Sequence, residues 1–130
     1  IYFFMNILFV CTQGQNRSKY LAEYLKEKGY STDYGGVKAD GANPLTQEKV
    51  DWADVIVAVR EHIKDKFLDR FELNGKELIQ LEVQDNSKGY SKEAQELSDT
   101  SWYEFQKKYV YPNLRKQIEE HISKFKKRST

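Results

Sequence analysis

Two short apolar runs constrain the fold of this chain more than any other feature of its sequence. They cover residues 7–10, ILFV, and residues 54–59, DVIVAV, which is apolar after its first residue. Neither run alternates polar with apolar side chains, and this continuity is typical of strands that are buried on both faces of a sheet. Because antiparallel sheets commonly leave one face in water, the two runs predict a parallel sheet that is covered on both sides.

Amphipathic segments separate and follow these runs. Helical spacing of apolar residues predicts helices over 18–28, 60–71 and 101–125, and Pro44 predicts a short helix over 44–50. Pro112 is expected to kink or split the last helix. Segments 31–35 and 78–83 predict two further strands, and the polar stretch 84–100 is predicted to be a long loop. Strands that alternate with helices predict an α/β fold with a four-stranded parallel sheet flanked by helices on both faces.

Length and charge are those of a single globular domain over residues 1–130. The net charge is +1, so no global field favours nucleic acid or an anionic membrane as a partner. The apolar opening lacks the basic region of a signal peptide and is too short to span a bilayer. Met5 is predicted to be the natural start, with residues 1–4 added by cloning or left by processing, and residues 126–130 are expected to be a frayed tail. One cysteine cannot form an internal disulfide, which favours a reducing, cytoplasmic location.

The turn after the first strand, CTQGQNRS, carries the most chemical information. Backbone N–H groups of such a turn can converge on a phosphate-like anion, and Gly14 can take the positive φ that the turn needs. Arg17 offers a planar fork for two oxygens, and the same positive surroundings favour the thiolate of Cys11 as a nucleophile. Ser18 can donate a hydrogen bond to that thiolate. A lone cysteine is otherwise a small buried hydrophobe, but the combination of strand, glycine, Cys-X5-Arg, serine and helix favours a functional site.

With this motif between its first strand and first helix, the sequence resembles a divergent, short member of the low-molecular-weight protein tyrosine phosphatase family. The resemblance implies that family's phosphatase-I-like fold, with the flavodoxin-like strand order 2-1-3-4. It implies that Cys11 attacks phosphorus to form a cysteinyl-phosphate and that Arg17 binds the phosphoryl oxygens. The substrate-binding loop that it implies consists of Thr12, Gln13, Gly14, Gln15, Asn16, Arg17 and Ser18.

The resemblance also implies an aspartate, on a loop beyond the fourth strand, that protonates the leaving group. Asp85 in VQDN is the best positional match, although Asn86 stands where the family has proline. Asp99, later in the same predicted loop, is the alternative, and Asp40 is a third candidate. An acid in this role must reach the leaving oxygen directly or through one water.

The predicted function is cysteine-dependent hydrolysis of a phosphomonoester, with phosphotyrosine as the leading substrate. The partner is then a phosphorylated protein or a small phosphomonoester, and phosphate, sulfate and vanadate-type oxyanions should bind. Gln13 and Gly14 replace the family's glycine and asparagine, and Asn16 replaces a second cysteine of many members, so substrate specificity is not carried over. An arsenate reductase that uses an external thiol and a non-catalytic oxyanion-binding module remain alternatives. No cofactor, nucleic acid or membrane is expected. A metal is not expected either, since His62 and His121 have no partner at ligand spacing.

Overall fold

The predicted fold class and strand order are confirmed by a computed structural model, which describes residues 2–128. Four of its strands form one sheet, with every neighbouring pair parallel and the order β3-β2-β4-β5. Numbered along the sheet's own strands, this is the order 2-1-3-4. The strands are β1 (Tyr2–Phe4), β2 (Asn6–Cys11), β3 (Ser31–Gly36), β4 (Val55–Ala58), β5 (Glu77–Gln80) and β6 (Lys126–Arg128).

Both faces of the sheet are covered, because consecutive residues of β2 and of β4 are buried. Right-handed crossovers place the helix that leads to β3 on one face and the helices that lead to β4 and β5 on the other. The last long helix packs against the first. The helices are α1 (Arg17–Glu27), α2 (Gln47–Trp52), α3 (Glu61–Arg70), α4 (Lys92–Thr100), α5 (Trp102–Phe105) and α6 (Tyr111–Glu119).

The strand order reverses at β2, which lies between β3 and β4. The chain therefore leaves the end of β2 on one face of the sheet and the end of β3 on the other. In open parallel sheets this switch point forms a crevice beyond the carboxyl ends of the strands, where ligands bind. Cys11 is the last residue of β2 and stands at this crevice.

One predicted helix start and one predicted loop are wrong, and side-chain caps explain both. The second helix begins at Gln47 rather than at Pro44, because the Thr46 hydroxyl accepts a hydrogen bond from the Lys49 amide. The stretch 84–100 is not one long loop, since its second half forms α4. The hydroxyl of Ser91 caps that helix by accepting from the Ala94 amide.

The last helix is split, as Pro112 predicted. A π-helical turn, Gln106–Val110, joins α5 to α6 directly before this proline. Proline has no N–H to donate to the preceding turn, and a wider turn at this point accommodates the missing hydrogen bond.

The expected frayed tail is wrong for residues 126–128. They form β6, which pairs antiparallel with β1, and the Met5 amide donates to the carbonyl of Phe125 at the start of this ribbon. Backbone pairing and the burial of Phe125 hold this end of the chain. Residues 129 and 130 lie outside the described residues, and the origin of residues 1–4 stays a prediction. Over residues 2–128, the helices are all too short or too polar to span a bilayer.

Truncation of the central strand should cost far more stability than truncation of an exposed apolar residue. Ile56 lies fully buried in β4, so Ile56→Ala should lower the free energy of unfolding by about 2–5 kcal/mol through lost burial and a residual cavity. Leu68 on α3 is 45% exposed, and Leu68→Ala is the matched control, with an expected change within about 0.5 kcal/mol. Urea denaturation of both variants measures the difference, and equal losses would contradict the buried position of β4.

Candidate active site

The turn after β2 is held from outside by the segment that follows β3. Four successive carbonyl groups of the turn accept hydrogen bonds of 2.9–3.1 Å from this segment. The bonds are Val37 N to Cys11 O, Lys38 N to Thr12 O, Asn43 N to Gln13 O and Asn43 Nδ2 to Gly14 O. In a trans peptide unit the N–H points away from the C=O, so carbonyls that face outward turn the following amides inward. This orientation directs the amides of the turn toward its mouth, an arrangement that in other proteins forms a cradle for an oxyanion.

Two glycines allow this close approach. Gly14 has a φ of +71°, and a Cβ there would lie 2.5 Å from the Asn43 carbonyl oxygen. A Cβ on Gly36 would lie 2.4 Å from the Thr12 carbonyl oxygen. Only residues without a side chain fit where the turn and β3 meet.

The sulfur of Cys11 lies at the base of this cradle. Its Sγ is 3.0 Å from the Ser18 hydroxyl oxygen and 3.3 Å from the Gly14 amide nitrogen, which donates to it. Cys11 and Ser18 are both buried. The thiolate is the nucleophilic form of a cysteine side chain.

Arg17 is buried and clamped, with one edge of its guanidinium left for a ligand. Its Nη1 donates to the Val83 carbonyl oxygen at 2.8 Å, and its Nη2 makes a long contact of 3.4 Å with the Thr12 hydroxyl. The buried Nε has no hydrogen-bond acceptor among the described residues. The edge formed by Nε and Nη2 is therefore fixed in place and suited to two oxygens of one anion.

Asp85 lies next to this edge. Its Oδ2 is 3.5 Å from the Arg17 Nε, which is an ion-pair distance rather than a hydrogen bond. The carboxyl group is 35% exposed, so it faces the crevice instead of the core. The segment that carries it continues from β5, where the Val83 amide donates to the Val59 carbonyl oxygen.

These groups line one cleft of about 700 Å³. Five of the seven predicted loop residues line it together with Cys11 and Asp85, and so do two aromatic side chains. The lining residues are Cys11, Thr12, Gln13, Gln15, Asn16, Arg17, Asp85, Trp102 and Tyr111. Gly14 and Ser18 lie behind the lining, where they contact the sulfur. Asp99 is on α4 and Asp40 is on the loop after β3; both are exposed, and neither lines the cleft.

Both polar atoms of the Asn16 side chain form hydrogen bonds, and their partners, Gln106 and Tyr111, were not among the predicted site residues. Its Nδ2 donates to Gln106 Oε1 at 2.8 Å, and its Oδ1 accepts from the Tyr111 hydroxyl at 2.6 Å. Burial raises the pKa of Tyr111, so this hydroxyl keeps its proton at neutral pH and acts as the donor. The Tyr111 ring stacks on Tyr20 with centroids 4.1 Å apart. No local pattern links residues some ninety positions apart, although a proline next to Tyr111 marked this part of the helix as irregular.

A second hollow, of about 620 Å³, adjoins the cleft and shares Gln15, Asn16 and Tyr111 with it. Lys19 and Arg115 also line it. Trp102 lines the cleft and is 50% exposed. Tyr90 does not line the cleft; it is half-buried and packs edge-on against Phe105.

Metal-ligating residues do not gather into a group of three or more within residues 2–128. His62 is exposed on α3, and His121 lies beyond the end of α6. The candidate site therefore consists of a thiol, a guanidinium, a carboxyl group and backbone amides.

No protein-family profile matches the chain, and no curated protein matches it in sequence. Solved structures of similar fold include the YwlE arginine phosphatase from Geobacillus stearothermophilus, at 19% identity and a TM-score of 0.49 over 90% of this chain and 94% of that one. A low-molecular-weight protein tyrosine phosphatase from Bacillus subtilis is 18% identical, with a TM-score of 0.49 over 89% of this chain and 98% of that one. These likenesses concern the fold, at low sequence identity.

The close packing of the turn against β3 gives a stability test. Gly36→Ala should lower the free energy of unfolding by about 1–3 kcal/mol, because the new Cβ meets backbone atoms that cannot move separately. It should also weaken vanadate binding in calorimetry, because the turn must shift. The control is Gly75→Ala, which has open space around the Cβ but a φ of +79°. That variant should lose stability through strain alone and bind vanadate normally. Unchanged stability and binding in Gly36→Ala would contradict the packing described here.

Proposed function

We propose that the protein is a cysteine-dependent phosphatase that hydrolyses phosphomonoesters through a cysteinyl-phosphate intermediate. One arrangement carries the proposal: the Cys11 sulfur lies beneath a ring of inward amides, beside an Arg17 edge that is held for two oxygens. An anion placed on those donors has its central atom above the sulfur. This is the geometry that nucleophilic attack on a phosphoryl group requires.

In the first step, the Cys11 thiolate attacks phosphorus as the bond to the leaving oxygen breaks. The turn amides and Arg17 bind the three equatorial oxygens, on which negative charge is spread in the transition state. Asp85 gives its proton to the leaving oxygen.

In the second step, water attacks the cysteinyl-phosphate and Asp85 accepts its proton. The S–P bond breaks, the thiolate is regenerated and inorganic phosphate leaves. Ser18 and the Gly14 amide stabilise the sulfur as leaving group, because both contact it directly. A reducing compartment such as the cytoplasm suits this mechanism, which needs Cys11 as a free thiolate.

Phosphotyrosine is the substrate that the cleft wall favours. Trp102 and Tyr111 offer aromatic surface beside the cradle, and an aromatic leaving group can stack on it. The second hollow beside the cleft gives room for the polypeptide around a phosphorylated residue.

Hydrolysis of p-nitrophenyl phosphate in the presence of a chelator tests the mechanism. Wild-type protein should be active and inhibited by vanadate, and Cys11→Ser should lose at least about 10⁴-fold in kcat because the weaker hydroxyl nucleophile lacks an adjacent base. Cys11→Ser should still bind vanadate, which separates lost chemistry from lost folding. Turnover that survives in Cys11→Ser would exclude the covalent mechanism. Arsenate-dependent oxidation of an added thiol, with no phosphate released, would favour a reductase instead.

The identity of the acid has its own test. Asp85→Asn should lower kcat/KM for phenyl phosphate by about 10²–10⁴-fold, since the basic phenoxide leaving group then departs unprotonated. Asp99→Asn is the matched control and should leave kcat/KM unchanged, because Asp99 lies on α4 away from the cleft lining. The reverse ranking of the two variants would reassign the acid.

A further inference from the structure

One fully buried polar side chain lies outside the groups that the proposed reaction uses. Among the described residues, three polar or charged side chains are buried, and two of them, Arg17 and Ser18, belong to the cradle. The third is Gln106, at the start of the π-helical turn. Burial of a side-chain amide lowers stability unless its N–H and C=O groups are both hydrogen-bonded. Both groups of Gln106 are hydrogen-bonded.

The two ends of the Gln106 amide bind the two halves of the site. Its Oε1 accepts from Asn16 Nδ2 at 2.8 Å, and its Nε2 donates to the Asp85 carbonyl oxygen at 2.8 Å. Gln106 therefore connects the oxyanion turn to the backbone of the proposed acid. The Gln106 side chain is held in one position, because both of its hydrogen bonds are short and the side chain is buried.

The π-helical turn places this bridge. Gln106 and Tyr111 are five residues apart, and both bind the Asn16 amide. In an α-helix, side chains five residues apart differ in direction by about 140°. The wider turn has the Tyr111 amide bonded to the Gln106 carbonyl oxygen, which brings the two side chains to the same side. The π-helical turn thus allows Gln106 and Tyr111 to bind Asn16 at the same time.

We infer that Gln106 is a positioning residue that sets the distance between Asp85 and the bound phosphoryl group. This rests on the proposed function. The Asp85 side chain is more than a third exposed and has one long contact with Arg17, so its own side-chain contacts do not fix its depth in the cleft. The hydrogen bond from the Gln106 side chain to the Asp85 carbonyl oxygen fixes this depth instead. Loss of the bridge should therefore harm proton donation more than it harms binding of the anion.

The test compares two aryl phosphates whose need for an acid differs. Gln106→Met keeps the length of the side chain and removes both hydrogen bonds. It should lower kcat/KM for phenyl phosphate by about 10–100-fold, because small misplacement of a catalytic group costs rates of this order. For 2,4-dinitrophenyl phosphate, whose leaving group needs no proton, the loss should be less than about threefold. The inhibition constant of vanadate should also change by less than about threefold.

A double-mutant cycle separates positioning from general damage. In an Asp85→Asn background, Gln106→Met should cause no further loss with phenyl phosphate, since the group that it positions no longer donates a proton. The matched control is Gln117→Met on α6, because Gln117 also bonds to backbone of the same segment, through the amide and carbonyl of Glu82. It should affect both substrates equally. Gln106→Asn, which keeps the amide on a shorter stem, should show a smaller loss with the same substrate dependence, and it serves if Gln106→Met does not fold.

Equal losses on both substrates, or full additivity with Asp85→Asn, would overturn the positioning role and leave the phosphatase standing. Wild-type protein that hydrolyses neither substrate would overturn the proposed function itself. A loss confined to vanadate affinity would also overturn the inference, since Gln106 would then support the turn alone.

Discussion

The outward hydrogen bonds of four successive carbonyls are the interaction on which the site depends. They tie the turn of residues 11–14 to the segment after β3, and peptide planarity then turns the amides toward one point. The need for glycine at 14 and 36 follows from this attachment, because the turn and the chain around β3 meet backbone to backbone. The shape of the turn therefore depends on the segment after β3 as much as on the turn itself, because residues 37–43 donate all four of these hydrogen bonds.

The proposed catalytic groups and Gln106 come from three regions of the chain, and backbone carbonyls connect these regions. The Val83 carbonyl orients Arg17, and the Asp85 carbonyl receives Gln106. Such contacts specify geometry while they leave side chains free for chemistry. The π-helical turn departs from a regular helix where two side chains, those of Gln106 and Tyr111, both bind the Asn16 side-chain amide.

The sequence predicted the sheet and the position of the turn after β2 well because both depend on local signals. Apolar runs marked β2 and β4, and the spacing from Cys11 to Arg17 marked the turn. The proposed acid was a positional match among loop aspartates, and the structure places Asp85 in the cleft and Asp99 on a helix. Local signals for α4 were present in the Ser91 cap but are weak in a polar stretch. Gln106 had no such signal, since its partners lie far away in sequence and a single glutamine has no pattern.

The enclosed thiol has a practical consequence for measurement. The whole chain contains one cysteine, so every reaction of a thiol reagent with the folded protein occurs at the base of the cradle. A charged alkylating agent such as iodoacetate is attracted by the inward amides and Arg17, whereas neutral iodoacetamide of similar size is not. The ratio of the two labelling rates is then a direct gauge of the electrostatic potential at the sulfur, free of background from any other side chain of its kind.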